Sequence, residues 1–158
     1  MGYNLAGLLI NKNIDNEKEI KLVIGNSSQY AAMVDFEEAT SSYRAENTFD
    51  LLSSTTGTLI LMELGQIYDL EIFPKDYDVI QFMISAVSDT YYFESFSKGE
   101  LVRKLITSQG DTAEDVGEGI LTENDDLADK IWELTDAYLQ NNFSQKRFDL
   151  QFKRYELK

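Results

Sequence analysis

The chain has 158 residues, 28 acidic against 14 basic, a formal charge of −14 and an isoelectric point near 4.3, and it contains neither His nor Cys. Absence of Cys excludes disulfides and thiolate metal sites, and absence of His removes the side chain most used for proton transfer near neutral pH. The negative charge repels phosphate backbones and anionic membrane surfaces, so neither direct nucleic-acid binding nor membrane association is expected, whereas a basic protein would be steered toward it.

Residues 3–11 are apolar and end in a polar cluster, which predicts a buried first strand. Asp15 or Asn16 can cap a short helix near 15–24, with Ile20, Val23 and Ile24 as its apolar stripe and Gly25 at its C-terminal end. Residues 30–38 fit either a short strand or a helical turn. Residues 48–52 and 58–63 predict a hairpin around a polar loop that ends in Gly57. Residues 65–77 read as irregular and hold the only proline, Pro74.

Val79 to Val87, Tyr91 to Phe96 and Leu101 to Thr107 are three apolar or aromatic runs joined by short polar turns, which predicts an antiparallel meander. Gln109 to Glu123 is acidic and glycine-containing and reads as a loop. A long helix is predicted near 123–142, with Thr122 as cap, Asp125 completing a capping pair, and Leu127, Ile131, Leu134 and Tyr138 on one face. Glu123, Asp125 and Asp126 suit its positive N-terminal end. Phe148, Leu150 and Phe152 alternate with polar residues as in a half-buried strand; Tyr155 and Leu157 break that phase, which predicts a bulge or strand end near Lys153 and Arg154. With no internal repeat and no linker, residues 1–158 read as one α+β domain: a mainly antiparallel sheet of five to seven strands with the long helix on one face. The first residues lack the basic and apolar regions of an export signal, so the cytoplasm is the expected compartment.

Motifs with specific chemistry are sparse. Glu37-Glu38 and Asp125-Asp126 are adjacent carboxylates, but sequence neighbours point apart on a strand or helix. Ser95 and Lys98 match a bare S-x-x-K at a predicted turn, without its partner motifs. Gly117-Glu118-Gly119 lacks the third glycine of a dinucleotide loop. The sharpest local anomaly is a run of eight acids without a base between Gln109 and Asp129. Three readings stand beside one another: weak divalent-cation binding, although the EF-hand spacing fails; a docking face for a basic partner; and a solvated loop before a well-capped helix. No cofactor and no dedicated metal site is expected. Residues 146–158 are rich in Lys and Arg with interleaved aromatics, which reads as a strand whose core face holds Phe148 and Phe152.

The stretch from Phe93 to Arg103, followed by Gly110 and by Glu114 to Glu118, resembles a segment of small acidic bacterial proteins of uncharacterised function. The resemblance covers about a fifth of the chain. It implies a bacterial setting and the same meander, and it brings no activity.

The functional expectation is a small acidic module that binds, and inhibits or neutralises, a basic protein in the manner of an immunity protein. The candidate docking residues are Asp111, Glu114, Asp115, Glu118, Asp125, Asp126 and Trp132, the last because Trp is enriched at binding hot spots. An acidic mimic of nucleic acid and an enzyme working through carboxylates alone are the alternatives. An exposed aromatic face would also allow a homodimer.

Overall fold

Residues 2–65, 68–70, 73–122 and 124–158 are described by a computed structural model of the chain. Among the described residues, nine strands form one antiparallel sheet. In chain order they are β1 (Asn4–Ile10), β2 (Ser28–Asp35), β3 (Thr48–Ser53), β4 (Thr58–Met62), β5 (Val79–Ser85), β6 (Thr90–Ser97), β7 (Glu100–Ser108), β8 (Asp111–Gly117) and β9 (Gln151–Leu157). Across the sheet they run β2-β9-β3-β4-β1-β5-β6-β7-β8. Helix α1 (Glu17–Ile24) follows β1, α2 (Phe36–Ala39) follows β2, and α3 (Leu127–Leu139) and α4 (Phe143–Lys146) lie between β8 and β9. The architecture is α+β, as the alternation of strand and helix signals predicts.

Both faces of the sheet centre are covered, which explains why β1, β4 and β5 are nearly continuous apolar runs rather than alternating ones. On one face Leu5, Leu9, Leu59, Leu61, Ile80, Phe82 and Phe93 meet Leu127, Ile131, Trp132 and Leu139 of α3. On the other, Leu8, Ile10, Ile60, Met62 and Val79 meet Ile20, Val23 and Ile24 of α1, together with Leu70, Phe73 and Tyr77 from the connection between β4 and β5. Gly7 sits at the centre of β1, where a Cβ would stand 2.4 Å from the Phe82 ring and 2.7 Å from the Ile60 carbonyl. The ring uses the space that a side chain would need, so Gly7 is fixed by packing.

Local chemistry sets the helix ends. Asn16, rather than Asp15, caps α1 by accepting from the Glu19 N–H, and Gly25 closes it in the left-handed conformation. The long helix is shorter than its signals suggested. Asp126 is its cap, accepting from the Asp129 N–H. The Thr122–Asp125 pair exists, with the Asp125 carboxylate accepting from the Thr122 N–H, but it forms a turn before the helix. Glu123 lies outside the described residues. The buried stripe of α3 is Leu127, Ile131, Trp132, Thr135 and Leu139, with Leu134 and Tyr138 only half-buried at its flank. Thr135 belongs to the core because its hydroxyl donates to the Ile131 carbonyl, which satisfies it within the helix.

Three further expectations are corrected. The sheet has nine strands rather than five to seven, since 28–35 is a strand followed by a helical turn and 111–117, read as a loop, is β8. The half-buried strand expected from Phe148 onward begins only at Gln151; Arg147–Asp149 is a 3-10 turn, and Phe148 is exposed, its ring edge-on to Phe36. β9 continues unbroken to Leu157 with Tyr155 stacked on Phe49; both faces of this strand are covered, so the phase change marks a second core. The irregularity expected near Arg154 does occur, but on the neighbour: β2 carries Ala31 as an extra residue between Tyr30, opposite Tyr155, and Ala32, opposite Arg154.

Candidate functional site

β8 forms one margin of the sheet and, among the described residues, pairs only with β7. Strand geometry sends its acids to alternate faces. Asp115 lies on the α3 face beside Arg103, and Glu114 lies on the opposite face beside Lys104, which also reaches Glu94. Asp111 stands opposite Ser108 at the β7–β8 turn, and Glu118 follows β8 on the surface. The acidic run is therefore divided between two faces and does not form one row.

Arg103 holds this margin in place. Its guanidinium is buried at 4% exposure and donates to the Leu121 carbonyl through Nε (3.0 Å) and Nη2 (2.7 Å), to the Val116 carbonyl through Nη1 (2.9 Å), and to the Asp115 carboxylate. One side chain thus ties β8 and the 118–121 segment to the sheet. Gly117 makes this closure possible. It has a φ of +80°, and a Cβ there would lie 2.0 Å from the Val102 carbonyl oxygen.

The segment that Arg103 secures walls a pocket of about 450 Å³ between the end of the sheet and the start of α3. Its floor is apolar: Phe93 of β6, Leu105 of β7, Leu121 and Leu127 are all buried. Its rim carries three exposed carboxylates, Asp125 and Asp126 before α3 and Asp89 in the β5–β6 turn. Tyr91, Thr107 and Thr112 contribute hydroxyls to the wall. Burial raises the Tyr91 phenol above its ordinary value, and Asp89 and Asp126 push it further, a sign of the negative field inside. The Thr122 N–H holds the Asp125 carboxyl below the usual carboxylate range. Asp125 is thus a fixed charge rather than a proton donor.

Of the sequence candidates, the structure brings together Asp125 and Asp126 and adds Asp89, which lies 36 residues before Asp125 in the chain and carried no local signal. Asp115 is engaged by Arg103 and Glu114 by Lys104. Trp132 is buried, edge-on to Tyr3 and Phe36, so its indole is part of the core. Ser95 is buried within β6 and Lys98 sits in the β6–β7 turn, an ordinary hairpin arrangement. Among the described residues no three His, Cys, Asp or Glu side chains stand close enough together to hold a metal ion, and no helix is long and apolar enough to cross a membrane. No family model, no curated protein and no solved structure matches this chain.

Proposed function

We propose that the chain is a protein-binding module that captures a basic partner and receives one of its Lys or Arg side chains in the pocket at the start of α3. The observation that carries this reading is the pairing of an apolar floor with a rim of carboxylates. Lys and Arg have an apolar stem and a charged head, and they bury the first while keeping the second near polar groups. Phe93, Leu105, Leu121 and Leu127 suit the stem, and Asp89, Asp125 and Asp126 suit the head. The overall charge of −14 adds long-range attraction, which raises the association rate and weakens with salt. The division of the β8 acids between two faces weighs against a nucleic-acid mimic, which needs its carboxylates along one face.

The test is affinity capture from the native cells at low and moderate salt, repeated with Asp89→Asn, Asp125→Asn and Asp126→Asn combined. Asn at 126 keeps the helix cap. A stoichiometric basic partner is expected, its retention falling with salt and dropping at least about tenfold in the triple variant, since exposed charge pairs contribute up to about 1 kcal/mol each. Retention unchanged by the triple substitution would exclude the pocket as the docking site.

A further inference from the structure

The two outer strands of the sheet are guarded differently. An outer strand presents unpaired backbone N–H and C=O groups, and proteins shield such edges with charge, distortion or cover. β8 carries three acids in seven residues. β2 reads Ser-Gln-Tyr-Ala-Ala-Met-Val-Asp, uncharged from Ser28 to Val34 in a chain of net charge −14, and Tyr30, Ala31, Ala32 and Met33 are all exposed. We propose that β2 is a homodimer interface. The β2 edges of two copies pair antiparallel about a twofold axis between Ala31 and Ala32, with Ser28 opposite Asp35, Gln29 opposite Val34, and Tyr30 opposite Met33.

Charge selects the edge. Two bodies of charge −14 repel, and the repulsion is weakest where the meeting strands carry no charge between their ends, the Asp35 of each copy lying at the outer limit of the seam. The bulge selects the register. In a regular strand Tyr30 and Met33 would point to opposite faces. The extra residue Ala31 brings them to the same face, because their partners on β9, Tyr155 and Lys153, are two positions apart. Directly opposed residues of an antiparallel pair share a face, so Tyr30 of each copy meets Met33 of the other. Both side chains are large and exposed, at 50% and 45%, and the twofold symmetry makes this contact twice in the dimer. At the axis, only Ala side chains meet. At each end the Ser28 hydroxyl faces the Asp35 carboxylate. Each copy carries the same bulge beside the axis, so the irregularity is matched rather than imposed on a regular partner. A slip of one residue would separate Tyr30 from Met33. This surface lies at the far margin of the sheet from the acidic pocket and is independent of it.

Sedimentation equilibrium of the full chain over a range of concentrations tests the dimer. Met33→Lys is expected to weaken association at least about tenfold by placing a charge in the seam, with the thermal melt unchanged at concentrations dilute enough for both chains to be monomeric, because the side chain is exposed there. The chain has no Cys, so a mixture of Tyr30→Cys and Met33→Cys chains tests the register. On oxidation the mixed disulfide should far exceed either self-linked species, because a disulfide needs Cα atoms within about 7 Å. A monomer at every concentration, a dimer that Met33→Lys leaves intact, or equal yields of mixed and self-linked species would each overturn the proposal.

Discussion

The two ends of the sheet each bury an arginine, and they treat its charge in opposite ways. At the β2-β9-β3 end, Arg154 donates to both carboxylate oxygens of Asp50, at 2.8 and 2.9 Å, and to Glu38 at 3.1 Å. Arg44 joins from the other side at 2.8 Å and also donates to the Ala39 carbonyl. Asp50 is completely buried, so charge meets charge inside the protein, and its hydrogen bonds raise the Arg154 pKa while burial lowers that of Arg44. At the β7–β8 end, Arg103 is satisfied largely by backbone carbonyls, with Asp115, half open to water, as its one carboxylate partner among the described residues. The first arrangement is internal cement. The second uses a cation to fold an acidic margin back on itself and leaves the carboxylates of the pocket rim for solvent or a partner.

The comparison can be broken most severely at Asp50. Asp50→Ala removes the buried anion that Arg44 and Arg154 share, leaving Arg154 only the more exposed Glu38, and is expected to destabilise the fold by about 3–5 kcal/mol in denaturant titration. Arg103→Met should cost less, about 2–3 kcal/mol, because a charged donor is lost but the carboxylate it leaves, Asp115, is half open to water. Its distinguishing sign is local: hydrogen exchange should rise in β8 and 118–121 while the β9–β3 pairing stays protected. A loss of protection spread evenly over the sheet would mean that the margin is not a separate unit.

The smallest effect concerns the field at the open end. Below its pKa the Tyr91 phenol is neutral, and burial with Asp89 and Asp126 favours that form in the folded chain. The unfolded phenol ionises near pH 10. Between that value and the raised folded one, the unfolded state has lost a proton that the folded state keeps, so this contribution is present at lower pH and is lost as pH rises through the folded pKa. Asp89→Asn should move the Tyr91 titration downward, read by phenolate absorbance with Tyr91→Phe as the blank. Tyr155, raised by its own burial and by Asp15 at the other end, should titrate unchanged.

Much of the fold is legible where burial writes a hydrophobic pattern. The meander, the hairpin, β1, α1 and the core of α3 all carry one. β8 carries none: every residue from Asp111 to Gly117 is exposed, and the strand exists through backbone pairing and Arg103, which a pattern of side chains cannot reveal. β2 is obscured by its bulge, which shifts the phase between Tyr30 and Ala32. In the pocket, Asp125 and Asp126 stand out through acid density alone. Asp89 does not, because its place there depends on the β5–β6 turn meeting the start of α3. Trp132 shows the reverse error of inference: composition makes it a candidate contact, while Tyr3, Phe36 and Phe143 enclose it.

The position of β9 between β2 and β3 also governs when the sheet can be completed. Asp50 and Arg154 are 104 residues apart, and Glu38 and Arg154 are 116 apart, yet they form one cluster. On the ribosome, β2 and β3 must wait for residues 151–157 before they gain the neighbour that joins them. Such distant pairing predicts slow, late closure of this end. Until then two open edges stand exposed in the nascent chain, which makes it the moment of greatest exposure to misassociation.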